Sequence, residues 1–224
     1  MNGVLNIFKP KGMSSFDAVR VVKKVAGTGK VGHTGTLDPE ATGVLPICIG
    51  RATKIIDYIM DSEKVYEVTL KLGIRTTTYD LEGEVLEERD PSHLTEEEIL
   101  NSINSFKGEY SQIPPMYSAL KQNGVRLYEL ARKGIEVERK GRLVNIYNLE
   151  DIKINNPYIS MKVTCSKGTY IRSLCYDIGE KLGVFATMTQ LNRAKTSVFS
   201  QEKSININEL TKENINDYIL SMEE

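Results

Sequence analysis

An α+β fold, with a mixed and largely antiparallel sheet flanked by helices and loops, is what these 224 residues predict. Apolar and polar residues alternate along one clear strand, while elsewhere apolar residues recur at helical spacing. The two kinds of segment are interspersed without the regular βαβ rhythm that builds a parallel sheet. No repeat, low-complexity tract or flexible linker breaks the pattern, so a single domain over 1–224 is expected.

The first helix is SSFDAVRVVKKVAG. Ser14 or Ser15 can cap it, Ala18, Val19, Val22 and Val25 form its apolar stripe, and Gly27 can end it. A glycine-rich loop follows. KVYEVTLKLG reads as a strand with Tyr66, Val68, Leu70 and Leu72 on one face. The polar segment IRTTTYDLEGEVLEERDP has room for one more strand at most. In TEEEILNSINSFKG, Thr95 and Glu98 make a capping box ahead of the stripe Ile99, Ile103 and Phe106. IPPMYSALKQNG is a proline-marked loop, and VRLYELARKG a short helix closed by Gly134. Strands are expected at Arg142–Leu149 and Tyr158–Cys165, then a helix capped by Thr169, and a last acidic helix from Asn208 to Met222.

Composition excludes several classes. Hydrophobic residues at 40% and charged residues at 26% suit an ordinary soluble protein, and no run approaches the ~18 apolar residues of a membrane span. Cys48, Cys165 and Cys175 follow no metal-ligand spacing, and His33 and His93 cannot make a zinc site alone, so neither metal nor disulfide is expected. With no signal-peptide core at the N-terminus, reduced thiols and a cytoplasmic location are expected. The net charge is −1, yet it is unevenly spread. Lys9–Lys30 holds six basic residues and one acid, Lys121–Arg142 seven and three, and Lys162–Arg172 three and none, whereas Asp80–Glu98 holds nine acids and one arginine. A phosphate backbone responds to local potential rather than to the sum. The basic stretches are therefore expected on one face around Asp38, and the acidic stretch away from it. Solvated helix faces would give the same counts.

The stretch GTGKVGHTGTLDPEATGVLPICIG concentrates the chemistry. Its opening satisfies G-x-G-x-x-G, but the glycines follow a helix where a dinucleotide fold needs a strand. His33 stands where a phosphate-binding loop needs lysine. Asp38 is left as the notable group: an Asx turn before Pro39 is one reading, a carboxylate held against a substrate the other. A carboxylate among glycines and apolar residues needs a cation from elsewhere, and Arg172 beside SKGTY is a candidate.

GHTGTLDPEATGVLPICIG resembles the catalytic motif of the TruB family of tRNA pseudouridine synthases. NIFKPKGMSSFDAV, ATKIIDYIMDSEKVYEV, QIPPMYSALKQNGVRLYELARKGIEVERKGR and CSKGTYIRSLCYDIGEKLG resemble further family motifs in the family's order, from about Val4 to Val198. The resemblance implies the pseudouridine synthase fold with a cleft across the sheet, and conversion of uridine 55 in the tRNA T loop to pseudouridine without cofactor or metal. It implies Asp38 as the nucleophile, Tyr66 as the aromatic stacked on the uracil and Arg172 as the aspartate's partner. Tyr170 and Leu191 would line the uridine pocket, and His33 would enter the T loop where bases have flipped out. Lys54 and Arg193 would be phosphate contacts or plain surface. Residues 76–140 would form an insertion that helps to grip the RNA, no C-terminal PUA domain is evident, and a monomer acting on the T arm is expected. A catalytically silent RNA-folding module on the same basic surfaces is the competing expectation.

Overall fold

A computed structural model describes residues 1–221. In chain order the elements are β1 (Gly3–Lys9), α1 (Ser15–Ala26), β2 (Val31–His33), β3 (Thr42–Ile49), α2 (Ile56–Met60), β4 (Lys64–Leu72), β5 (Ile74–Thr76) and β6 (Val85–Glu88). Then come α3 (Glu96–Asn104), β7 (Gly108–Gln112), β8 (Lys121–Gln122), β9 (Val125–Arg126), α4 (Leu127–Ala131), β10 (Arg142–Asn155) and β11 (Tyr158–Cys165). The chain finishes with α5 (Ile171–Leu182), β12 (Ala186–Thr196), β13 (Phe199–Ser200), β14 (Ile205–Asn206), α6 (Ile215–Tyr218) and β15 (Ile219–Leu220). The class is α+β, with a large mixed sheet.

The chain forms two compact units, one of residues 1–67 with 190–224 and the other of 68–189. In the first, β1 and β3 run antiparallel from Gly3↔Ile49 to Lys9↔Gly43. Beside β1 lie β14, parallel, and β15, antiparallel; β12 joins β3 in parallel at Asn192↔Thr42. Val4, Val44, Cys48, Ala52, Ile59 and Phe199 are its buried cluster. Burying an aliphatic or aromatic side chain of this size contributes roughly 1.5–3 kcal/mol. Helix α1 begins where Ser14 accepts from the Asp17 amide while Asp17 returns a bond to the Ser14 amide, and it ends at Gly27 in the left-handed region. Such a cap is worth about 1 kcal/mol.

In the second unit β10 pairs antiparallel with β11 on one side and β7 on the other. Thr95 and Glu98 form the expected capping box at the start of α3, which packs against α5 and β10. On β4 the apolar face emerges as read: Tyr66, Val68, Leu70 and Leu72 are all buried.

The sequence reading misses in several places. It placed no strand at β1 or β12, and β3 forms within the stretch read as a glycine-rich loop. The segment after β4 forms two strands, β5 and β6, closed by register Ile74↔Glu88. β10 runs on to Asn155 because β11 turns back to meet it at Asn155↔Tyr158. Thr169 does not cap α5: its hydroxyl donates to the Ser166 carbonyl, and Tyr170 occupies the cap position. The long C-terminal helix is absent from the described residues, Met222 lying outside them. There the Asn206 side chain accepts from the Asn208 amide and that of Asn214 from the Thr211 amide. Such local bonds compete with helix formation.

Candidate active site

The loop between β2 and β3 carries Asp38, which is half-buried. Buried groups grip the loop on both sides of it. The Ser15 hydroxyl, at the start of α1, donates to the Leu37 carbonyl and accepts from the Leu37 amide at 3.1 and 2.9 Å. Lys9, 0% exposed at the end of β1, donates to the carbonyls of Pro10, Met13 and Pro39 at 3.0, 2.7 and 3.2 Å. A buried ammonium without partners would cost several kcal/mol, so three carbonyls are the condition for its being there. Burial lowers the Lys9 ammonium to about 8, against the pull of the Asp38 and Glu40 carboxylates.

Further along, Arg193 on β12 is 1% exposed and donates to the carbonyls of Val44 and Gly35 at 2.8 and 3.1 Å. Its guanidinium is thus a brace between the ends of the Asp38 loop rather than a surface group. Close approach here explains Gly43, whose φ is 115°: a Cβ would run into the Arg193 backbone. Next to the brace, the His33 Nδ1 accepts from the Gly35 amide at 3.3 Å. Burial, and then Arg193, lower the His33 imidazole below its ordinary value, which favours the neutral ring that this acceptor role requires. Tyr66 is buried on β4, Leu191 half-buried on β12, and Lys54 exposed just before α2.

In the second unit Arg172 lies in the first turn of α5 and is 7% exposed. It donates to the carbonyls of Thr78 and Tyr117 at 3.2 and 2.8 Å, and its Nη1 lies 3.5 Å from a carboxylate oxygen of Asp80. Asp80 accepts from the Thr78 hydroxyl and from the Glu82 amide. This corrects one expectation, because the first residue of the acidic stretch pairs with a predicted site residue. The remaining acids, Glu82 to Glu98, are exposed. Tyr170, half-buried, immediately precedes this turn. Lys9, Ser15 and Asp80 are the partners that sequence reasoning missed. What the sequence could not show is that Lys9 reaches the Pro39 carbonyl, that Ser15 meets Leu37 and that Asp80 meets Arg172.

Residues 23–171 match the family model described as TruB family pseudouridylate synthase (N terminal domain). Residues 172–224 match that of the tRNA pseudouridylate synthase B C-terminal domain. The chain belongs to the TruB family. Among its relatives, the tRNA pseudouridine synthase B of Clostridium perfringens (strain ATCC 13124) is 65% identical over all 224 residues, which span 76% of that protein. That of Clostridium tetani is 62% identical over 223 residues, 77% of its length. Like these TruB relatives, the chain is an isomerase that forms pseudouridine in tRNA.

Solved structures show the pseudouridine synthase fold. The crystal structure of a Cbf5-Nop10-Gar1 complex matches 93% of the chain with 31% identity and a TM-score of 0.73. An H/ACA RNP bound to a substrate RNA containing 2′-deoxyuridine matches 93% with 28% identity and a TM-score of 0.69. The chain spans 53% and 52% of those two chains. Among the described residues no cluster of His, Cys, Asp and Glu is arranged to hold a metal ion, and no helix is long and apolar enough to cross a membrane.

Proposed function

We propose that this TruB chain isomerises uridine 55 in the T loop of tRNA, in the cytoplasm, with Asp38 as its nucleophile. The observation that carries the reading is the grip on the Asp38 loop by Ser15, Lys9 and Arg193. A turn residue with only a structural duty needs no such bracing; a carboxylate that must meet one carbon atom does.

The uridine leaves its stack and its base is received on an aromatic platform, for which Tyr66 is the proposed side chain. Stacking of this kind is worth roughly 1–3 kcal/mol per base. His33 fills the space left in the loop, and Tyr170 and Leu191 line the pocket. A carboxylate oxygen of Asp38 attacks either C1′ of the ribose or C6 of the uracil, and the N1–C1′ bond breaks. The base turns, C5 bonds to C1′, the bond to Asp38 breaks and frees its carboxylate, the C5 proton leaves and N1 gains a proton, so the product is an isomer and no cofactor is consumed. Arg172 is the proposed orienting partner of Asp38. Lys54 contacts a phosphate, and residues 76–140 act as an insertion gripping the T arm.

Asp38→Asn tests the reading, assayed for pseudouridine on a T-arm hairpin and on whole tRNA. Turnover is expected to vanish on both while RNA affinity stays within a few-fold, because affinity rests on phosphate contacts and stacking. Near-normal turnover would remove Asp38 as catalyst. A wild-type chain that binds the hairpin but forms no pseudouridine would favour the silent RNA-folding module.

A further inference from the structure

Gln112 closes β7 and is 1% exposed. A buried amide must find partners for both its ends, and this one finds them in a single residue. Its Nε2 donates to the Tyr170 carbonyl at 3.0 Å, and its Oε1 accepts from the Tyr170 amide at 2.8 Å. Two opposed bonds to one backbone residue fix rotation as well as distance. One residue on, the Ile113 carbonyl accepts from the Ser173 hydroxyl at 2.8 Å. Consecutive residues of one strand end therefore hold the cap and the first turn of α5.

That grip replaces something α5 lacks. Helix starts are commonly fixed by a Ser, Thr, Asp or Asn side chain at the cap. The Tyr170 side chain makes no capping bond, and its backbone is held from outside instead. The Gln112 Nε2 also contacts the Tyr110 hydroxyl. Tyr170 is the residue so held, and Arg172 lies in the first turn of α5 that follows it.

We propose that Gln112 is a positioning residue of the isomerase, setting where Tyr170 and Arg172 stand relative to the flipped uridine. The inference rests on the proposed reading of those two residues as uridine-facing.

Gln112→Glu and Gln112→Met test it, with single-turnover rates on saturating hairpin measured from pH 6 to pH 8. The introduced carboxylate, when ionised, still accepts from the Tyr170 amide but turns an oxygen toward the Tyr170 carbonyl; protonated, it can donate again. The expected result is a rate about tenfold or more below wild type at pH 8, the scale of one lost buried hydrogen bond. Expressed relative to wild type, that rate recovers as pH falls to 6. The Met variant, similar in length and unable to ionise, should show a comparable loss with no recovery. Hairpin affinity should stay within about threefold in both, since phosphate contacts carry it.

A residue that merely supports the fold would lower the melting temperature without making the relative rate depend on pH. Wild-type rates at pH 8 in both variants would overturn the proposal. So would loss of the cooperative unfolding transition in both, which would make residue 112 a folding residue. Asp38→Asn, run in parallel, separates the two readings. If it is inactive while the Gln112 variants are normal, the positioning role alone falls; if it turns over normally, both fall.

Discussion

Arg172 satisfies two carbonyls and one carboxylate with a single planar group. Lysine keeps the charge but offers one compact ammonium on a flexible stem. Arg172→Lys should therefore slow single-turnover chemistry by roughly 10- to 100-fold, the equivalent of one or two charge-assisted bonds. Tight hairpin binding should persist; full activity in a rapid-quench assay would end Arg172's role as an orienting group. Asp38, Tyr66, His33 and Arg172 could be singled out because each sits in a stretch that resembles a family motif. Lys9 and Arg193 were not, because long cations are almost never fully buried and a sequence reads them as surface. Only the carbonyls of Pro39, Val44 and Gly35, brought close by folding, reveal them as braces.

Helix α5 carries Arg172 and also a proton of its own. Burial, and then neighbouring Glu180, push the Asp177 carboxyl up to about 7 from an ordinary 3.8. Between those values the folded chain holds a proton that the unfolded chain has released, so stability falls as pH rises through that window and levels off above it. Asp177→Asn removes that slope. Thermal unfolding at pH 4.5 and pH 8 should show the variant gaining on wild type at the higher pH, and a constant difference would show that Asp177 titrates normally. Elements with their signals inside themselves were legible: the serine cap of α1, the capping box of α3 and the alternation of β4 all formed as read. Those fixed by a distant partner were not. β15 exists because β1 offers Val4 and Leu5 to Leu220 and Ile219, and β10 is long because β11 returns along it.

For the molecule as a whole, affinity for a tRNA arm should track exposed cations. Lys121 and Lys133 are both exposed, and their reversal to Glu should flatten the dependence of binding on salt. Each phosphate no longer neutralised should remove roughly 0.7–0.9 from the slope of log K against log salt. Reversal of Glu96 and Glu97 should leave the slope unchanged; Glu98 is no fair control, because it caps α3. An unaltered slope in the lysine variants, measured by filter binding from low to high salt, would place the RNA elsewhere. The α+β class and the family were legible from end to end, whereas the division into two units was not, since no linker marks it. That division orders events in time. β1 and β3 leave the ribosome early, but β12, β14 and β15, which complete their pairing, follow residue 185. While the stretch 68–189 is being made, the first unit waits as a half-built sheet with unpaired edges, the state in which nascent strands are most open to a wrong partner.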